Sequence, residues 1–319
     1  MNKNIKVLLI VFCCFPHCQL FQVNNAGAGS FFEEKLYPQG KKFSFGIWSV
    51  KNLQEMKQVK KDGFNFIQCY GPGEGTEEEI KQWLEWAKDT ELFVMFNMGG
   101  FRKQAVFNED GRHMKSFARR FETYKNYENI AWWHIPEEQQ IGDAYEGPMI
   151  KEYCKYLHEN DPQNRPVYMY IAGNYTKDDL VPYVEHLDII GAGGYTSLYE
   201  YPRPWILWRT GQDTAAIQKA NISDRPKAVI SFLQMFLEDQ KLGLGFGKAP
   251  TFKDIYHDIY ASIAAGAKGV IAYHLSYSYQ VPGVYDAFKK AAGEITGSGG
   301  LGEVILSGKD FNKVKLKII

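Results

Sequence analysis

Eight short β-prone runs recur along this chain, each followed by a helical stretch, and few folds accommodate that rhythm. The runs cover 43–50, 64–70, 92–97, 130–135, 166–170, 187–191, 227–232 and 269–274. Most of their positions are apolar, as expected of strands covered on both faces by helices. The intervening stretches carry helix signals. Thr76 with Glu79 forms a capping box ahead of the apolar stripe Trp83, Leu84 and Ala87. Pro148 suits a first helical turn before 149–159, and 254–265 is a further helix ending at Gly266, a residue type that closes helices in the left-handed conformation. Eight such units joined by right-handed crossovers close into a (β/α)8 TIM barrel, an α/β fold, placed at 38–296. A doubly wound dinucleotide fold would put glycines in its first turn, and Ser49-Val50-Lys51-Asn52 has none.

The flanks read differently. Lys3 and Lys6, an apolar run over 7–15 and the small residues Asn25-Ala26-Gly27-Ala28 follow the order of a signal peptide at 1–28, with cleavage near Ala26 or Ala28. The apolar run falls short of the ~20 residues that span a bilayer. A secreted or periplasmic protein without a transmembrane segment is therefore expected. Bulky Phe12 before Cys13 argues against a lipoprotein. With Cys13, Cys14 and Cys18 in the leader, only Cys69 and Cys154 remain, too few for a disulfide framework. Beyond the glycine-rich 297–300, residues 303–306 and 313–319 look like two short strands, a β-hairpin extension at 297–319.

Charge narrows the partners. Lys plus Arg and Asp plus Glu both number 37, so no basic footprint for nucleic acid or an anionic membrane is present, and a neutral ligand fits best. The 21 Phe, 20 Tyr and 7 Trp suit both a large core and a sugar-binding cleft. No HExxH or Cys/His metal spacing, phosphate loop, Gly-x-Ser-x-Gly elbow or dinucleotide fingerprint occurs, so neither metal nor cofactor is expected. Oligomeric state has no signature here.

Barrels of this type place their sites at the C-terminal ends of the strands. There the sequence offers Trp48, Tyr70, Asn97, Glu137 with Glu138, Tyr170, Asn174, Tyr195, Gln234, His274 and Tyr277. A long aromatic loop after the sixth strand, with Tyr199, Tyr201, Trp205 and Trp208, fits either sugar stacking or packing on the barrel top. Arg203 and Arg209 in that loop suit a sugar carboxylate or a surface salt bridge. The sharpest feature is Trp132-Trp133-His134-Ile135-Pro136-Glu137-Glu138, a buried strand running into two adjacent carboxyl groups. Glycosidic cleavage needs a proton on the leaving oxygen as positive charge develops on the sugar, and an apolar surrounding raises a carboxyl pKa enough to hold one. Successive residues of an extended chain face opposite ways, so one of the pair faces the cleft; Glu138 is favoured, Glu137 next. A solvated loop with two incidental acids is the other reading.

The segment resembles the fourth-strand region of glycoside-hydrolase barrels, where a Trp-rich strand ends in an acid, commonly as Asn-Glu. More closely, Trp133, Pro136-Glu137-Glu138, Asp161-Pro162, Arg165-Pro166-Val167 and Met169-Tyr170 are similar to a group of exported bacterial glycoside-hydrolase-like proteins. That resemblance covers strands four to eight and implies a secreted glycosidase acting on O-glycosidic bonds, with Glu138 at the acid/base position and Glu137 where the pattern has Asn. It departs at strand seven. Retaining barrel glycosidases carry a nucleophilic carboxylate there, and this chain has Leu233-Gln234-Met235, followed by Glu238 and Asp239. A glutamine cannot be that nucleophile, which leaves inversion through water, a non-catalytic carbohydrate-binding barrel, or a structural or partner-binding exported protein as alternatives.

Overall fold

The computed structural model describes residues 42–68, 75–99, 112–136, 146–171, 175–220, 225, 227–237, 248–299 and 301–307. Within them eight parallel strands close into a barrel in sequence order. They are β1 Ser44–Trp48, β2 Phe66–Gln68, β3 Phe93–Asn97, β4 Ile130–His134, β5 Val167–Ile171, β6 Ile189–Gly194, β7 Ala228–Gln234 and β8 Gly269–Tyr273. One helix follows each: α1 Leu53–Lys61, α2 Glu77–Asp89, α3 Arg112–Tyr124, α4 Glu146–Asn160, α5 Lys177–Val184, α6 Trp205–Lys219, α7 Phe252–Ala264 and α8 Pro282–Thr296. A short α9, Leu301–Ser307, comes last. The (β/α)8 expectation holds, and β1 pairs with β8 to close the ring.

Local chemistry sets the helix ends. Thr76 and Glu79 form the expected capping box, and Thr251 forms a second one with Asp254, so α7 starts at Phe252 rather than at Asp254. Gly266 takes φ +108° after α7, the left-handed turn anticipated for it. Helix α4 begins at Glu146, two residues ahead of Pro148, which sits where a missing N–H costs nothing. Two expectations fail. Residues 303–306 form the body of α9 rather than a strand, with Ile305 and Leu306 buried; its partner strand at 313–319 lies outside the described residues. Trp205 and Trp208 belong to the first turn of α6 rather than to a loop.

Two buried layers result. Residues such as Phe96, Phe121 and Trp133 fill the space between strands and helices. The lumen holds Trp48, Phe66, Met95, Trp132, Tyr168, Tyr170, Ile230, Phe232 and Ile271. So many large rings fit because β6 presents glycine where its neighbour β5 presents tyrosine: a β-carbon on Gly191 would overlap the Tyr168 ring and hydroxyl, and one on Gly193 the Tyr170 hydroxyl.

The ends opposite the site are held by buried charges. Asp161, at the α4–β5 turn, accepts from Arg165 (Nη2, 2.8 Å; Nε, 2.9 Å) and from Trp133 Nε1 (2.9 Å), while the Arg165 guanidinium lies 4.2 Å from the Trp133 ring centroid. Asp188, ahead of β6, accepts from the Val167 amide, and His158 and Arg225 flank it at 2.8 Å. The Asp161 and Arg165 motifs thus secure the barrel floor rather than reach its mouth.

Helix α8 is fastened back to the start of the barrel through Asp62. Gln58 Nε2 (2.8 Å), Tyr285 Oη (2.7 Å) and Lys289 Nζ (2.7 Å) converge on this carboxylate, and Thr296 Oγ1 donates to the Gly63 carbonyl. Burial pulls the Asp62 pKa up, but the bonds from Gln58, Lys289 and Tyr285 outweigh it and leave the group below its ordinary value. A depressed carboxylate stabilises the fold above its unfolded pKa and loses that contribution as pH falls through the folded value. Asp62→Ala is expected to lower unfolding free energy by about 1–3 kcal/mol at pH 7, the worth of the charge-assisted bonds that its buried carboxylate accepts. In urea titrations the difference from the parent should shrink below pH 4.

Candidate functional site

At the C-terminal end of the barrel the strands deliver a ring of uncharged polar and aromatic groups. Trp48 closes the lumen from β1, almost fully buried, with edge contacts to Phe232 (5.1 Å), Tyr273 (5.5 Å) and His134 (5.6 Å) between ring centroids. His134 ends β4 and faces inward against Tyr168 at 4.8 Å, with its Nδ1 3.5 Å from Gln68 Nε2. Tyr170 packs against Phe232 at 5.2 Å. Tyr273, last in β8, joins Trp48, Tyr195 (5.9 Å), Phe236 (5.7 Å) and His274 (5.1 Å).

Of the residues expected at the mouth, Trp48, Tyr195 and His274 meet around Tyr273, and Tyr277 stacks on His274 at 4.5 Å and 23°. Tyr277 is also open to solvent. Asn97 ends β3 and spends its Oδ1 on the Gly99 amide (3.1 Å), a local turn that fixes the chain leaving that strand. Tyr70, Glu137, Glu138 and Asn174 lie outside the described residues, as do Glu238 and Asp239. Trp205 stands apart: its ring stacks on Tyr201 at 4.6 Å and contacts Trp208, not the strand-end group.

Three strand-end residues escaped the sequence reading as site candidates: Gln68, His134 and Tyr273. Each has the inward parity of its strand, sharing a face with Phe66, Trp132 and Ile271, so the alternation within the runs held the signal. Gln68 Oε1 and Trp132 Nε1 are buried with no hydrogen-bond partner among the described residues, giving the lumen beneath the mouth one acceptor and one donor for water or a hydroxyl.

Strand seven ends in a brace. Gln234 is buried, accepts the Leu198 amide at 2.9 Å and donates to the Phe236 carbonyl at 3.0 Å. Both ends of its amide are thereby used on the chain after β6 and on its own exit from β7. The chain after β6 is also held by Arg203, whose Nη1 donates to Thr196 Oγ1 (2.9 Å) and to the buried Asp258 (2.8 Å), and whose Nη2 donates to Ser197 Oγ (2.6 Å). Arg209 is neither a surface nor a ligand-gripping group. It is fully buried with Asp213 at 2.7 Å and donates to the Ile171 carbonyl. Burial pushes the Asp213 pKa up to about 6 against the pull of Arg209.

Charge is scarce at the mouth. Among the described residues the strand ends carry no carboxylate, and burial together with the positive charge of Lys51 pushes the His274 pKa down to about 4. His274 is therefore a neutral imidazole at physiological pH, suited to hydrogen bonding rather than proton donation. Among the described residues no group of three or more His, Cys, Asp or Glu is placed to hold a metal, and no helix is long and apolar enough to cross a membrane.

No known family profile and no curated protein matches the chain. Solved structures do match its architecture. The endo-beta-1,4-mannanase from Thermotoga petrophila superposes with a TM-score of 0.57 at 11% identity, over 82% of this chain and 78% of that one. A GH2 beta-galacturonidase from Eisenbergiella tayi, bound to galacturonate, gives 0.55 at 14% identity, over 79% of this chain and 51% of that one. The b-glucuronidase from Ruminococcus gnavus, in complex with D-glucuronic acid, gives 0.50 at 12% identity, over 74% and 42%. This chain therefore spans about half the length of the galacturonidase. It shares with these glycoside hydrolases the (β/α)8 fold.

Two measurements check the site. Gln234→Ala should leave the barrel folded, lower its stability by about 1–3 kcal/mol through two stranded backbone partners, and speed amide exchange over 195–201. The His274 ring resonances should stay constant from pH 8 to pH 5 and shift only near pH 4. Because the unfolded imidazole titrates near its ordinary value of 6.5, acid between that pH and 4 favours the unfolded chain.

Proposed function

We propose that this chain is a secreted or periplasmic glycoside hydrolase acting on O-glycosidic bonds of a poly- or oligosaccharide, with Glu138 as the group that protonates the leaving oxygen. The observation that carries this reading is the alternation in β4. Trp132 and His134 face the lumen, Trp133 and Ile135 face the helices, and the pairing continues past the strand, since the Ile135 amide donates to the Tyr168 carbonyl at 3.0 Å. Our reading extends that parity along the sequence, by which Glu138 rather than Glu137 would be the one to face the cleft. An acid there would meet a mouth of rings and neutral amides, where a carboxyl group keeps its proton near neutral pH.

The chemistry follows from the setting. The glycosidic C–O bond breaks as Glu138 transfers its proton to the departing oxygen, and a water molecule supplies the hydroxyl of the new reducing end, its remaining proton passing through solvent to restore the Glu138 carboxyl. Trp48, Tyr70, Asn97, Tyr170, Asn174, Tyr195, His274 and Tyr277 supply flat faces and neutral hydrogen-bonding groups to the sugar. The solved structures that share the fold are described as acting on or binding mannan, galacturonate and glucuronic acid. Their variety supports carbohydrate as the class and favours no one sugar.

A second reading is a carbohydrate-binding barrel without turnover. Gln234 favours it, because the strand-seven position that would carry a nucleophile serves as a brace instead. A screen for reducing-sugar release from a broad glycan panel, beside Glu137→Gln and Glu138→Gln, separates the two. Hydrolysis is expected in the parent and falls about 100-fold or more in Glu138→Gln, the scale of a lost general acid; Glu137→Gln keeps most of it. Binding without release in every protein would establish the second reading.

A further inference from the structure

Four aromatic rings lead away from the barrel mouth in one file. Tyr199, Tyr201, Trp205 and Trp208 contact in that order, with centroid separations of 5.5, 4.6 and 6.3 Å and interplanar angles of 37°, 27° and 39°. The file starts one turn from Tyr195, whose carbonyl accepts the Tyr199 amide at 3.3 Å. Its two inner rings cover each other and are half-buried. The end rings face solvent, Tyr199 at 58% and Trp208 at 40% exposure.

The segment is ordered before any ligand arrives. Arg203 ties it to Thr196, Ser197, Asp254 and Asp258, Gln234 holds the Leu198 amide, and Pro202 and Pro204 fix their own φ angles. Exposed rings on a braced backbone lose little entropy when something stacks on them. Ring chemistry narrows the partner. Among the described residues the exposed large apolar side chains are Tyr199, Trp208, Leu237, Tyr277 and Val304. The aromatic ones all carry an O–H or N–H at the ring edge, and none of the described phenylalanines joins them. A protein interface core also draws on Phe and Met. A sugar, with a C–H face and a hydroxyl rim, matches a flat ring with a polar edge. Charge excludes acidic sugars here: Arg203 and Arg209 are spent on Asp254, Asp258 and Asp213, and exposed Glu200 lies between Tyr199 and Tyr201 in the chain.

We propose that this aromatic file is a second carbohydrate-binding surface, on which Tyr199 and Trp208 stack sugar rings of a neutral polysaccharide outside the barrel mouth. The assignment rests on the carbohydrate reading of the mouth and concerns different residues. It makes the chain a polymer-holding protein whose grip is separable from its cleft.

Affinity electrophoresis of the full chain in gels containing galactomannan, xyloglucan, soluble starch or polygalacturonate tests it, beside Tyr199→Ala, Trp208→Ala, their double variant and Glu138→Gln. All should keep the parent circular dichroism spectrum. Parent and Glu138→Gln are expected to be retarded by at least one neutral polymer. The double variant should bind that polymer at least 10-fold more weakly while releasing sugar from short oligosaccharides at the parent rate. Equal retardation of parent and double variant overturns the proposal, as does retardation by polygalacturonate alone or by none of the polymers. Should retardation vanish in the double variant while no protein releases sugar from any glycan, the file stands and the hydrolase reading falls. Sugar release with equal retardation of parent and double variant keeps the hydrolase reading and removes the second surface.

Discussion

A closed eight-stranded barrel must fill its own lumen, and this chain does so by opposing rings with empty space. Tyr168 and Tyr170 of β5 lie where Gly191 and Gly193 of β6 leave no side chain, and Trp48, Trp132 and Phe232 share the same lumen. Interiors pack as densely as organic crystals, so a single added methyl group displaces its neighbours. The run Gly191-Ala192-Gly193-Gly194 is therefore a packing device of the strand itself. Everything at the mouth inherits its position from that filled lumen.

Polar chemistry divides between the two ends of the barrel. Opposite the mouth, Asp161 with Arg165 and Asp188 are buried and fixed to backbone, and half-buried Arg225 and His158 pair with Asp188. At the mouth, the described strand ends offer indoles, phenols, amides and a neutral histidine. Charge at the floor specifies how segments join. At the top, charge is confined to pairs behind the strand ends, Arg203 with Asp254 and Asp258 and Arg209 with Asp213, so the strand ends themselves are neutral.

The architecture was legible in the sequence because strands buried on both faces read as continuous apolar runs, and all eight stand where those runs do. Failures came where local preference conflicted with packing. Val304, Ile305 and Leu306 favour a strand by type, yet they form a helical turn whose Ile305 and Leu306 are buried. Tyr199, Tyr201, Trp205 and Trp208 read as one aromatic loop, although a proline just ahead of a helix starts it well, and α6 begins at Trp205 after Pro204. At the site, strand-end position picked out Trp48, Tyr195 and His274. Gln68 and Tyr273 needed the inward parity of short strands whose ends were not yet fixed. The work of Gln234 was hidden entirely, since its partner is the backbone amide of Leu198, a group no sequence displays.

The Tyr285–Asp62 bond joins residues 223 apart, and β1 pairs only with β2 and β8. Drawing such distant segments together costs chain entropy that no local contact returns, so ring closure falls late in folding. Until then a nascent sheet of seven strands exposes two long apolar edges, the state in which parallel α/β chains aggregate. A protein of this design must either be kept unfolded until its eighth strand is available or complete the circle faster than it meets a second copy of itself.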